Sequence, residues 1–314
     1  MRVTSLLLII AATAFPASGA IDRPMVGGDV VIAGYSASAS GGEHAVKVFD
    51  SSGSELGRFE GGRGEVRFAP DGTLAILDRK EIRFLRPDGS IARTVVLSPR
   101  RTDFPMEWPN RIAFTRDGAF FLTDGNRIVR YSSSGVPDPW WFANSSLAIG
   151  FPSIFGLDMA PDQCTLFASE ADVTVTHACG ATPYRFQILP TRGMGIRLLP
   201  DGTFVTRSAR VQRYSQSGLH VRSYTPPGQL LAVDANPRYV WVETARGTAQ
   251  RLDLDTDVLV GTPIVTGFTH INGLAPVGEW RASVEGVQTI PTLSEWMLIA
   301  LAVGLGAVAV RRLA

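Results

Sequence analysis

The sequence predicts an all-β fold, a six-bladed β-propeller carried between two terminal targeting segments. Three observations predict it. A unit of short strands joined by tight turns starts at Val66, Ile112, Leu157, Ile196 and Leu231, at spacings of 35 to 46 residues. Valine, isoleucine, phenylalanine and threonine fall in short runs bounded by glycine and proline, which favours strands and turns. Four short strands at such a period describe a propeller blade.

The elements follow in chain order. Arg2 precedes an apolar run over 6–15, and Ser18, Gly19 and Ala20 supply small residues after it. A basic start, a short apolar core and a small-residue site are the parts of a secretory signal peptide over 1–20, with cleavage expected after Ala20. The mature body, from Ile21 to Thr289, is long enough for one large β domain. Its formal net charge of +1 is spread along the chain, which excludes an electrostatic footprint for nucleic acid.

The clearest unit runs from Val66 to Asp78 and on through Glu81 to Ile91. It reads strand, turn, strand, loop, strand, turn, strand. Pro70-Asp71-Gly72 and Pro87-Asp88-Gly89 supply the turns. Proline presets φ, aspartate bonds the local backbone, and glycine tolerates positive φ. Later units repeat this with Asp117-Gly118, Pro161-Asp162 and Pro200-Asp201-Gly202. The unit at the front of the body, 30–59, holds only a second, third and fourth strand. Its missing first strand is expected from Ile271 to Val277, which would close the ring and leave no exposed sheet edge. The propeller is thus expected over 29–280, with a linker over 281–289.

Cys164 and Cys179 flank one expected hairpin centred between Ala171 and Asp172. Cross-strand partners stand about 4.5–5.5 Å apart at Cβ, near the separation a disulfide needs. An exported protein meets an oxidising compartment. A structural bridge is therefore expected, and two cysteines alone cannot build a zinc site.

Aligning the units places Glu65, Arg111 and Gly273 at one level of the central channel, and Arg67, Asp158 and Arg197 at the next. Asn110 and Asn272 fall one step higher. This mixed ring could bind a small polar or anionic ligand, or its charges could neutralise one another. Two long loops, 98–109 and 144–155, reach the same end of the channel, and loops of that length are often functional. Pro139-Trp140-Trp141-Phe142 is the densest aromatic run and is expected in a fourth strand or the loop before it. His44, His177, His220 and His270 show no triad spacing, so no catalytic set is expected.

The repeats, with pieces such as Asp124-Gly125-Asn126-Arg127-Ile128, resemble NHL-type six-bladed propellers and the broader gluconolactonase-like group. The lactonase-like members hold a divalent cation such as calcium in the channel on carboxylate and amide oxygens, ligands that suit that ion. The resemblance offers Asp158, Glu65, Asn110 and Asn272 for that role, against the charge of the nearby arginines. No cofactor is otherwise expected.

The chain ends in Ile290, Pro291, Thr292 and Leu293, then Trp296, an uncharged run over 297–310, and Arg311-Arg312. A helix over about 296–310 would be on the order of 22 Å long, short for a bilayer core of about 30 Å. Trp296 suits the outer interface and the arginines the cytoplasmic side. This segment, 290–314, resembles the IPTL-type C-terminal sorting signals of Gram-negative bacteria. The resemblance implies an exosortase-type membrane enzyme as partner and a body exported to the envelope or beyond. Three functions remain open from sequence: a binding or interaction module for a small polar ligand or an envelope partner, a metal-dependent lactonase-like hydrolase, and a matrix or surface structural protein.

Overall fold

The structure, a computed structural model, describes residues 21–37, 42–78, 81–97, 111–124, 127–144, 154–169, 173–177, 179, 184–189, 194–207 and 210–279. Every regular element among them is a β-strand, and no helix there is long and apolar enough to cross a membrane. The expected signal peptide, sorting tail and membrane helix lie outside the described residues, as do Asn110, the loop 98–109 and most of the loop 144–155.

The strands form six four-stranded antiparallel sheets. Strands β4 (Val66–Phe68), β5 (Leu74–Leu77), β6 (Glu81–Leu85) and β7 (Ile91–Val96) make one. The next holds β8 (Ile112–Phe114), β9 (Phe120–Asp124), β10 (Arg127–Tyr131) and β11 (Pro137–Asn144). It is followed by β12 (Gly156–Met159), β13 (Thr165–Ser169), β14 (Val173–His177) and β15 (Tyr184–Leu189). Then come β16 (Met194–Leu198), β17 (Phe204–Arg207), β18 (Arg210–Tyr214) and β19 (His220–Pro227). The fifth of these runs is β20 (Gln229–Val233), β21 (Tyr239–Ala245), β22 (Thr248–Asp253) and β23 (Val258–Val265). The remaining sheet joins the two ends of the body. Strand β24 (His270–Pro276) pairs with β1 (Val30–Ser36), which continues into β2 (Glu43–Phe49) and β3 (Glu55–Glu60).

The turns explain why the sequence breaks where it does. Gly72 has φ 84° and its N–H donates to Ala69 O at 2.9 Å, while Asp71 Oδ1 accepts from Thr73 N and Thr73 Oγ1 at 2.9 and 2.6 Å. Asp88 with Ser90 and Asp201 with Thr203 repeat these side-chain bonds. Where the repeat has no glycine, Gln163 takes the left-handed conformation with φ 59°. The second and third strands then align the same side chains across each hairpin. Phe120 stacks on Tyr131 at 5.0 Å and Phe204 on Tyr214 at 5.6 Å between ring centroids.

The core lies between sheets rather than within any one of them. Six apolar clusters each join two neighbouring sheets. One sets Val31, Val46 and Phe59 against Val66, Leu74 and Ile76. Another sets Leu231 and Trp241 against Val30, Ile32 and Leu274. The clusters run continuously round the circle, as a propeller requires.

Two expected boundaries shift. The body packs from Ile21, ahead of the expected Asp29: Ile21 bridges Gly57, and Met25 joins the first cluster with its N–H on Pro87 O at 2.8 Å. The hairpin of β13 and β14 pairs Thr165 with His177 and Ser169 with Val173, so it centres on Ala171. The disulfide Cys164–Cys179 is formed just past the end of that ladder, with Cα atoms 4.8 Å apart. The aromatic run of 139–142 falls in β11.

Candidate functional site at the channel and its upper mouth

The innermost strand of each sheet lines the channel, and the end at which these strands begin is called the upper mouth. Because side chains alternate along a strand, residues 65 and 67 of one sheet reach the channel together, as do Asp158 and Arg197 from others. Glu65, Arg67, Asp158 and Arg197 are 0, 9, 6 and 5 % exposed. Charges buried this deeply must be paired.

They are paired crosswise. Arg67 Nη2 meets Asp158 Oδ1 at 2.5 Å, and its Nη1 donates to Ile112 O at 3.1 Å and Leu157 O at 3.2 Å. Asp158 Oδ2 accepts from Leu198 N at 2.9 Å. Arg197 pairs with Glu65 Oε1, and Glu65 Oε2 accepts from Ile112 N at 2.9 Å. Glu279 lies 3.9 Å from Arg67 Nε and 4.0 Å from Arg197 Nε. These side chains bond β4, β8, β12 and β16 to one another across the channel. Burial would raise the Glu65 pKa, but Arg197, Arg111 and Arg67 outweigh it and hold the carboxyl below its ordinary value. Burial works against the Arg67 proton as well, yet Asp158, Glu279 and Glu65 raise its pKa overall.

Arg111 and Asn272 stand above this plug. Arg111 Nη1 donates to Asn272 O at 2.9 Å, while its Nε is buried with no hydrogen-bond partner. Asn272 Nδ2 donates to Arg63 O at 3.3 Å and lies 3.5 Å from His44 Nδ1. The structure therefore brings together six of the seven expected channel residues, and Asn110 lies outside the described residues.

Oxygen ligands for a divalent cation are not at liberty here. All four carboxylate oxygens of Glu65 and Asp158 are taken by arginines or backbone N–H groups. No group of three or more His, Cys, Asp or Glu side chains suited to a metal occurs among the described residues. Among the described residues, the donor set offered by the lactonase-like resemblance does not fit a calcium ion.

Directly above the plug lies a cavity of about 490 Å³. Arg111, Arg197 and Asn272 form its floor side, and Arg207, Gln229, Glu243 and His270 are further polar lining residues. Phe155, Ile196, Leu230 and Ile271 give it apolar walls. Sequence reasoning missed Arg207, Glu243 and Glu279. The signal for two of them was present. Phe204 pairs with Leu198 and Val240 with Val233, so Arg207 and Glu243 hold the same place in adjacent sheets. The corresponding residues elsewhere are Ala33, Leu77, Thr123 and Ser169, which are uncharged.

Comparison with known proteins adds one firm point, at the C-terminus. Residues 288–314 match the IPTL-CTERM motif. The match begins two residues before Ile290 and carries no information about the propeller. No curated protein matches the chain, so the likeness to NHL-type and gluconolactonase-like propellers rests on the repeats alone. A crystal structure of a protein of unknown function from Bacteroides caccae is similar at 12% identity, over 59% of this chain and 69% of that one, with a TM-score of 0.43. A likeness that slight says nothing about function. The propeller-like fold and the sorting motif together fit an exported surface protein.

Proposed function

We propose that this chain is an exported β-propeller, sorted through its C-terminal tail and acting at the cell envelope as a binding module for a small ligand. The observation that carries the binding reading is the channel itself: paired charges fill its centre, and an open cavity of about 490 Å³ lies above them. Pockets of about 300–1,000 Å³ with a few convergent polar groups in apolar walls are typical of small-molecule sites. The paired carboxylates weigh against the lactonase-like hydrolase. A structural role in a surface matrix would give the cavity no task.

The delivery reading joins the expected signal peptide over 1–20 to the motif over 288–314. An exosortase-type enzyme would cut or transfer the chain near Pro291, with a helix over about 296–310 holding the tail in the inner membrane until then.

Two measurements test these readings separately. Cells expressing the whole chain and a variant lacking 290–314 would be fractionated. The propeller is expected in the envelope or the medium, and its distribution is expected to change when the tail is removed. Identical distributions would refute sorting by the tail. Native mass spectrometry of the whole chain in detergent, mixed with a small-molecule extract of envelopes, tests binding. A saturable adduct is expected, and Gln229→Trp, which fills the cavity from its rim, should abolish it. Absence of any adduct would refute the binding module.

A further inference from the structure

Among the described residues, the lining of the cavity at the upper mouth carries more positive charge than its carboxylates neutralise. Arg197 is paired with Glu65. Among the described residues, the Arg111 side chain donates to one backbone carbonyl, that of Asn272, and its Nε is buried without a hydrogen-bond partner. The Arg207 side chain forms no hydrogen bond or ion pair among the described residues, although it is half-buried. Among the described residues Glu243 is the one carboxylate lining the cavity, and it is already engaged: its Oε1 accepts from Gly247 N at 3.0 Å and Ile271 N at 3.4 Å.

The electrostatic balance agrees with this geometry. Burial lowers the Arg111 pKa, Glu65 only partly offsets it, and Arg197 and Arg207 add to the lowering. Arg207 is lowered by burial too, with Glu243 acting in the opposite sense. Two guanidinium groups that feel each other's charge at the wall of one cavity are stabilised by an anion placed between them. Guanidinium forks match the two oxygens of a carboxylate especially well.

The rest of the lining narrows the class. Gln229, Glu243 and Asn272 offer amide and carboxylate groups suited to hydroxyls, and Glu243 Oε2 accepts no hydrogen bond among the described residues. Phe155, Leu230 and Ile271 offer apolar faces for a carbon skeleton. We infer that the upper-mouth cavity binds a small hydroxylated carboxylate, of the size and chemistry of a sugar acid, with its carboxylate held between Arg111 and Arg207. The inference rests on the reading of the cavity as a binding site and adds the ligand class and its two anchoring residues.

The test is calorimetric titration of the whole chain in detergent, at fixed ionic strength, with three probes: glucuronate, glucose and inorganic phosphate. Glucuronate is expected to bind saturably at one site. Glucose should bind at least tenfold more weakly, because a charge-assisted pair is lost, and phosphate should also bind more weakly. Arg207→Gln should weaken glucuronate at least tenfold. Arg213→Gln, which disturbs contacts with Asp201 and Thr203 and does not line the cavity, should leave it unchanged. The Arg207 side chain makes no hydrogen bond or ion pair among the described residues, so its variant should melt like the parent, and the probe comparison needs no variant at all. Equal binding of glucose and glucuronate would overturn the anion assignment while leaving a binding module. Equal or tighter binding of phosphate would overturn the carboxylate assignment. No binding of any probe would overturn the inference, whereas the adduct measurement with envelope extract decides the binding module independently.

Discussion

Single residues set the local geometry on which the ring depends, and two glycines do so for different reasons. Gly72 sits at φ 84° with nothing within 4 Å of an added Cβ, so its requirement is conformational alone. Gly72→Ala should cost about 1–2 kcal/mol, the left-handed penalty for a residue with a Cβ, read as a lower urea midpoint. An unchanged midpoint would mean the turn re-forms without strain. Gly273 is ordinary in φ, but an added Cβ would stand 2.9 Å from both Glu65 Cα and Val66 N. Its absence of side chain lets β24 approach β4 of the neighbouring sheet. The Gly72 requirement was legible in Pro70-Asp71-Gly72. The Gly273 requirement was not, because it arises from a strand two hundred residues away in sequence. The same distinction holds for Gln163, which occupies the glycine place of its turn with φ 59°: sequence shows the missing glycine but not that the turn survives without it.

At the scale of elements, the hairpin and the crossed ion pairs are the devices that can be removed one at a time. The disulfide spans 15 residues in sequence between Cys164 and Cys179. Closing a loop of about that length is worth about 3 kcal/mol in the unfolded-chain account. Replacing both cysteines with serine should therefore lower stability by about that amount in denaturant titrations, and reduction of the parent should match the variant. Within the channel, Asp158→Asn leaves Arg67 buried beside a neutral group. Breaking a buried pair in this way costs about 3–5 kcal/mol, whereas replacing both partners by apolar residues is often neutral. Arg67→Met combined with Asp158→Leu should thus recover most of the loss, measured by a double-mutant cycle. A double variant as unstable as the single one would mean that the backbone bonds to Ile112, Leu157 and Leu198 matter more than the pair. The channel residues were legible because strand alternation fixes which side chains face inward. Which carboxylate meets which arginine was not fixed by level alone, since Glu65 and Arg197 come from different aligned levels and still pair. Arg207 and Glu243 were recoverable from their shared repeat position, but on second strands, which the alignment of first strands passes over.

For the whole molecule, stability should depend on pH through the buried carboxylate at its centre. Glu65 is held below its ordinary value of 4.5 in the folded chain by Arg197, Arg111 and Arg67 acting against burial. Asp50, Asp88, Asp117 and Asp201 are lowered as well, chiefly by hydroxyl and backbone donors in their turns, with burial opposing most strongly at Asp201. For a depressed carboxylate, the stabilisation is present above the unfolded value and is lost as pH falls through the folded one. The urea midpoint should hold from neutral pH down to about 4.5 and decline below it. A midpoint that rises on acidification would contradict the pairing in the channel. The propeller-like fold and the sorting motif at 288–314 make export the central claim, because together they fit an exported surface protein. The intact mass of the protein recovered from the envelope and medium tests this most directly. The account predicts a chain that begins at Ile21 and ends near Pro291, and recovery of an uncut chain from Met1 to Ala314 in the cytoplasm would contradict it.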